Sequence, residues 1–215
     1  MTNAECRTRA RFNLGESIFS TNWMTALAIC LTAGVMTPNV SSLSRVLSRE
    51  VYYLIVGSFF IIRLLIGGPI QFGLNLAFLK KARGASQYEF EDLFKGFPMF
   101  ADCFILALMR GLLILVWFLI PIAGIYFGIK KEHSYAMAFY VKVDHPGIPW
   151  RECLDRSEQL MEGYRWQLFC LHFSFIGWYL LGILACGIGT LWVVPYENAA
   201  VAEFYEQRRI ACGDM

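Results

Sequence analysis

The stretch VYYLIVGSFFIIRLLIGGPIQFGLNLAFL, residues 51–79, carries one charge, Arg63. At 1.5 Å per residue a helix of it would reach about 44 Å, against roughly 30 Å for the hydrocarbon core of a bilayer. It reads as a membrane span too long to stand straight and upright. Gly67-Gly68-Pro69 lies inside it. The proline removes a backbone hydrogen bond and the glycines loosen the turn, so a kink or break is expected there before the chain emerges at Lys80-Lys81.

The rest of the chain agrees with that reading. It is 57% hydrophobic and only 17% charged, with a mean hydropathy of +0.47, whereas soluble domains are nearer 25% charged. This excludes a disordered, collagen-like or disulfide-framework protein. Residues 18–36 follow Arg7, Arg9 and Arg11 and lack a convincing A-x-A cleavage pattern, so they read as an uncleaved first span. Further spans are expected at 102–120, 122–143, 166–186 and 190–205, with turn signals at Pro121-Ile122-Ala123-Gly124 and Gly187-Ile188-Gly189. The expected fold class is all-α: a polytopic transmembrane helical bundle of about six spans in three hairpins, with kinked helices, forming one integral membrane domain over residues 1–215.

Positive charge sets the orientation. With six spans and both termini inside, the inner segments hold Arg7, Arg9, Arg11, Lys80, Lys81, Arg83, Lys95, Lys142, Arg151, Arg156, Arg165, Arg208 and Arg209, which is thirteen of the 19 cations. The outer connections keep Arg45 and Arg49.

Two amphipathic stretches are expected at the interface. Ser86 with Glu89 spells a capping box ahead of Phe90, Leu93, Phe94 and Phe97. A second helix begins at Pro149, with Trp150, Cys153, Leu154, Leu160, Met161 and Tyr164 on one face and charges that sum to −1 on the other. That sum suits a brace between spans better than a lipid-binding polybasic helix. A faint internal echo pairs Pro69, Phe78 and Arg83 with Pro195, Phe204 and Arg209 at equal offsets.

Known catalytic and nucleotide-binding motifs are missing. The seven cysteines are scattered and odd in number, and the three histidines lack ligand spacing, so neither a metal nor a cofactor is expected. A net charge of +2 without a basic tract disfavours nucleic acid. The informative residues are charges inside apolar runs: Arg63, Arg110, and Glu197 beside Asn198. A cation in mid-bilayer costs roughly 2.5 to 3.5 kcal/mol on insertion scales, so such groups face a bundle interior and find partners. Read functionally, they form a cavity with two cations and one carboxylate, suited to an anionic headgroup or solute. The bland alternatives are a structural ion pair or a snorkelling arginine.

The run Ser157-Glu158-Gln159-Leu160-Met161-Glu162-Gly163-Tyr164-Arg165-Trp166, then Phe173-Ser174-Phe175-Ile176-Gly177-Trp178, Leu191-Trp192, Pro195-Tyr196 and Ala202-Glu203-Phe204-Tyr205, resembles an uncharacterised bacterial integral-membrane family, domain of unknown function nine-seven-five. Leu93-Phe94-Lys95-Gly96-Phe97 and Ile120-Pro121-Ile122-Ala123-Gly124-Ile125 resemble its upstream pattern, so the likeness covers about residues 67–205. Lys130-Lys131-Glu132-His133 departs from the apolar continuation usual in that family. The resemblance implies a multi-pass protein of the bacterial inner membrane and supplies no catalytic residues. A more distant likeness is to the membrane domain of some glycerophosphodiester phosphodiesterases. The leading expectation is a non-enzymatic protein that binds or organises membrane lipids, other membrane proteins or further copies of itself. A small transporter for an anionic or lipidic solute and a membrane-embedded lipid enzyme are the alternatives.

Overall fold

The computed structural model describes residues 2–15, 20–35, 48–118, 123–184 and 189–213. The described residues are helical, with no strand among them. In chain order the helices are α1 (Asn3–Leu14), α2 (Thr21–Val35), α3 (Arg49–Ala82), two short 3-10 turns (Phe90–Phe94 and Phe97–Met99), α4 (Phe100–Phe118), α5 (Ala123–Ser134), α6 (Ala138–Asp144), α7 (Trp150–Leu160), α8 (Arg165–Leu184) and α9 (Thr190–Ala211).

Three stretches, Arg49–Ala82, Phe90–Trp117 and Arg165–Leu184, are long and apolar enough to cross a membrane, and only 6%, 11% and 22% of their most apolar windows is buried inside the protein. Their apolar side chains therefore point outward, as in Tyr53, Leu54 and Phe60 of α3 and Leu180, Leu181 and Leu184 of α8. α9 does the opposite. It packs against α1, α2, α3 and α8, and small residues at Ala199, Ala200 and Ala202 let those neighbours approach while Phe204 and Tyr205 fill the core. A second core joins Phe72 of α3, Leu106 of α4, Phe139 of α6 and Leu154 of α7.

Several expectations change. α3 runs without a break through Gly67-Gly68-Pro69. Gly68 serves close packing, since it lies against the Cys103 backbone of α4, whereas a methyl group at Gly67 would meet nothing within 4 Å. The expected span 122–143 divides into α5 and α6, separated by a turn at 135–137. The charged run ends α5: Lys131 pairs with Glu158 at 2.7 Å, and the Ser134 hydroxyl donates back to the Lys130 carbonyl. The described part of α2 has 15 residues, about 22 Å at 1.5 Å each, and the chain beyond Val35 lies outside the described residues. Ser86 and Glu89 form no capping box; the Glu89 carboxylate is drawn to Lys80 at 3.1 Å instead. A capping box does close α1, through Thr2 and Glu5. The Pro121-Ile122 and Gly187-Ile188 turn signals and the outer connection at 36–47 lie outside the described residues.

The second amphipathic helix forms as α7, with Cys153, Leu154, Leu160 and Met161 buried and Tyr164 exposed. Burial pushes the Cys153 thiol up to about 11, so it packs as a small hydrophobe. The echo has a counterpart too. Phe78 and Phe204 are both core residues, and Arg83 and Arg209 converge on Glu206 at 2.8 and 2.6 Å. Arg83 also reaches Asp144 at 2.7 Å, and the Tyr205 hydroxyl donates to the same carboxylate at 2.8 Å. One guanidinium thus ties the end of α3 to α6 and α9.

The segment after α3 lies backbone to backbone on that helix. A methyl group at Gly73 would fall on the Leu93 carbonyl, and one at Gly96 on the Pro69 carbonyl. Buried Asp92 holds the segment down by pairing with Lys80 at 2.7 Å and with Lys95. Gly73→Ala should therefore destabilise the detergent-solubilised protein by about 1–3 kcal/mol through overpacking. Gly57→Ala, whose new methyl meets nothing within 4 Å, should be neutral or stabilising by up to about 1 kcal/mol. Equal melting temperatures for the two variants would contradict the backbone contact.

Burial alone would push the Glu206 carboxyl up, but hydrogen bonds from Arg209 and Arg83 outweigh it and hold the group below the usual carboxylate range. A depressed folded-state pKa stabilises above the unfolded value of about 4.3, and the contribution fades as the pH falls from there through the folded value. Glu206→Gln should lower the melting temperature at neutral pH and narrow its gap to the parent as the solution is acidified. A gap that stays constant from neutral to strongly acidic pH would contradict this account.

Candidate functional site

Six helices, α3, α4, α5, α6, α8 and α9, line a cavity of about 850 Å³. Its polar wall comes from residues set among apolar neighbours: Arg110 on α4, Glu132 and His133 near the end of α5, His172 and Tyr179 on α8, and Glu197 on α9. Its apolar lining includes Phe169, Phe173 and Ile176 of α8. Phe173 and Ile176 are also exposed, at 62% and 47%, so the cavity opens sideways along α8.

The arrangement of α8 is local helical geometry. His172 and Tyr179 are seven residues apart, two turns along one face. Each meets one oxygen of Glu197: His172 Nδ1 lies 2.6 Å from Oε1 and the Tyr179 hydroxyl 2.5 Å from Oε2. Since a carboxylate only accepts, the imidazole proton sits on Nδ1. His133 likewise commits Nδ1, donating to the Ile129 carbonyl at 2.9 Å. The two rings stand 6.1 Å apart, edge to face, each with an Nε2 that has no hydrogen-bond partner among the described residues.

Arg110 is different. It lies within the electrostatic reach of Glu132, yet neither residue makes a hydrogen bond or ion pair among the described residues. Nearby, Gln71 donates to Asn75 at 3.0 Å, and Asn198 donates back to the Val194 carbonyl at 3.0 Å.

Of the residues singled out from sequence, Arg110, Glu197 and Asn198 line this cavity and Arg63 does not. Arg63 is exposed on α3, lines a separate cavity of about 280 Å³ with Ala33, Ile66 and Ile70, and makes no ion pair among the described residues. The expected set of two cations and one carboxylate is therefore corrected to one cation, two carboxylates and two histidines. Among the described residues no arginine pairs with Glu197, because α8 packs on α9 and supplies a donor to each carboxylate oxygen. Asp102 of α4 instead meets buried Lys142 at 3.0 Å. The sequence reading missed Glu132, His133, His172 and Tyr179. Their common signal was a polar group inside or at the end of an apolar run. Among the described residues no group of three metal-ligating side chains is gathered.

Residues 124–210 match the model of a family described as a protein of unknown function (DUF975). The likeness read from the sequence holds over that segment, which contains Glu132, His133, His172, Tyr179, Glu197 and Asn198 but not Arg110. No curated protein and no solved structure matches the chain, and the likeness to the membrane domain of glycerophosphodiester phosphodiesterases is not shown.

Glu197 and His172 should be energetically coupled. Glu197→Gln and His172→Ala should each cost on the order of 2 kcal/mol, as expected for a hydrogen bond to a charged group. Their double variant should lose less than the sum, while Glu197→Gln with Arg110→Gln should add within about 0.5 kcal/mol. Additivity in the first cycle would show that the contact contributes nothing.

Proposed function

We propose that this chain is a non-enzymatic integral membrane protein that binds a lipid-like molecule in the cavity along α8. The polar head enters against Arg110, Glu132 and the two imidazoles, and the chain leaves past Phe173 and Ile176. Both termini lie at one end, since Cys6 of α1 bonds Gln207 of α9 at 3.3 Å, and we put that end in the cytoplasm of a bacterial cell on the strength of the cations beside it. The observation that carries the reading is an unpaired Arg110 and an unpaired Glu132 in one cavity that opens on an exposed apolar face. A guanidinium away from water gains most from a fork-shaped acceptor such as a phosphate, and a carboxylate from an ammonium or hydroxyl donor. A headgroup carrying both kinds of group suits the pair better than a simple anion.

One observation favours a second reading, solute transport linked to proton movement: His172 is oriented by Glu197 and keeps a free Nε2, as a proton-handling imidazole would. Proton uptake on solute addition to sealed vesicles distinguishes it from simple binding.

Protein purified in mild detergent should carry phospholipid identifiable by mass spectrometry. Arg110→Gln and Glu132→Gln should each lower that content several-fold while leaving the protein monodisperse. Lipid content unchanged in both variants would exclude the cavity as the binding site.

A further inference from the structure

A third cavity, of about 430 Å³, lies between α1, the start of α8 and the last turns of α9, lined by Arg9, Tyr164, Gln167, Gln207 and Arg208 among others. It is separate from the cavity along α8 and has the opposite electrostatic character. Two arginines line it and no carboxylate does. Arg9 acts electrostatically on Glu203, which is itself hydrogen-bonded by Asn13 at 2.5 Å.

The donors in this cavity are short of acceptors. Arg9 is exposed and makes no hydrogen bond or ion pair among the described residues. The Arg208 guanidinium lies 3.3 Å from the centre of the Tyr164 ring. Its Nε and Nη2 make long bonds to the Leu160 carbonyl at 3.4 and 3.5 Å, and Nη2 also reaches the Cys212 sulfur at 3.5 Å, while Nη1 has no acceptor among the described residues. Gln207 accepts from the Cys6 thiol through Oε1, but its Nε2 is buried without a partner. A buried amide without an acceptor is costly, and two guanidiniums held beside it without a carboxylate make an anion the missing group.

We infer that this cavity binds a phosphate group, with Arg9 and Arg208 as the charged donors and Gln207 Nε2 as the neutral one. Tyr164 stacks beneath Arg208 and holds its plane fixed. The cavity adjoins Arg165 and Trp166 at the first turn of α8, one of the helices long enough to cross a membrane. If α8 spans, the site is level with the membrane surface on the side rich in cations, within reach of an anionic lipid headgroup. A free phosphate or phosphoester offers the same chemistry. The site does not depend on the ligand proposed for the cavity along α8.

The test uses the full chain in phosphatidylcholine nanodiscs, with either phosphatidylglycerol in the bilayer or inorganic phosphate in the buffer, read as melting temperature. One of the two additions should raise the melting temperature, and Arg9→Gln with Arg208→Gln should abolish most of that rise. Arg9→Gln alone should lower the melting temperature in pure phosphatidylcholine only slightly, because Arg9 makes no hydrogen bond or ion pair among the described residues and acts on Glu203 only at a distance, and should weaken the response several-fold. Arg9→Lys should restore part of it, and Arg11→Gln, with the same change in net charge, should keep it. A response to phosphatidylglycerol alone identifies a lipid headgroup, and a response to inorganic phosphate identifies a soluble ligand. No response to either addition, or one that survives in the arginine variants and falls equally in Arg11→Gln, overturns the proposal.

Discussion

The carboxylate of Glu197 sets the terms for the middle of the bundle. It sits on α9, against which α1, α2, α3 and α8 pack, where an unpaired charge away from water would cost several kcal/mol. His172 and Tyr179, two turns apart on α8, take one oxygen each. That double contact fastens α8 to α9 and fixes one wall of the cavity. It also occupies the only acid that α9 presents there, and so leaves Arg110 across the cavity without a direct protein partner.

The rest of the bundle supports this wall at its ends. Arg83 gathers Asp144 and Glu206 and so holds α6 and α9 to the end of α3. The segment after α3 is pressed onto that helix where Gly73 and Gly96 allow backbone contact, and Asp92 between two lysines keeps it there. Lys142, fully buried, is satisfied by Asp102 and the Ile148 carbonyl at 3.0 and 2.9 Å, which links α4 to α6. Charged pairs thus join elements that are distant in sequence, while the apolar side chains of α3, α4 and α8 face outward. This division suits a bundle surrounded by hydrocarbon, where apolar contact between helices provides little driving force and polar contacts and close packing fix the arrangement.

How much of this was legible in the sequence depends on the kind of signal. The apolar runs of α3, α4 and α8 were legible because composition alone reports them, and α7 because its polar and apolar residues alternate with helical period. Arg110 and Glu197 stood out as charges inside such runs. Their partners did not, because the rotation of one helix against another is set by packing across the bundle and leaves no trace in local spacing. Only the His172–Tyr179 spacing hinted that two groups share a face. The Lys130-Lys131-Glu132-His133 run was visible as a departure from an apolar span, and its consequence, the end of α5 and the placement of Glu132 and His133 in the cavity, needed the tertiary partner Glu158 to become clear. Glu89 misled because a capping box and a lysine-paired glutamate look alike in one dimension.

The central claim is that the cavity along α8 holds a lipid-like molecule whose head is fixed by Arg110. Photo-crosslinking in intact cells tests it directly, with benzoylphenylalanine placed at Phe173 on the cavity wall and, for comparison, at Leu184, which is 85% exposed. The account predicts a discrete lipid adduct at position 173 that disappears in Arg110→Gln, and diffuse labelling at position 184 that does not change. Identical lipid labelling at the two positions, indifferent to Arg110, would contradict it.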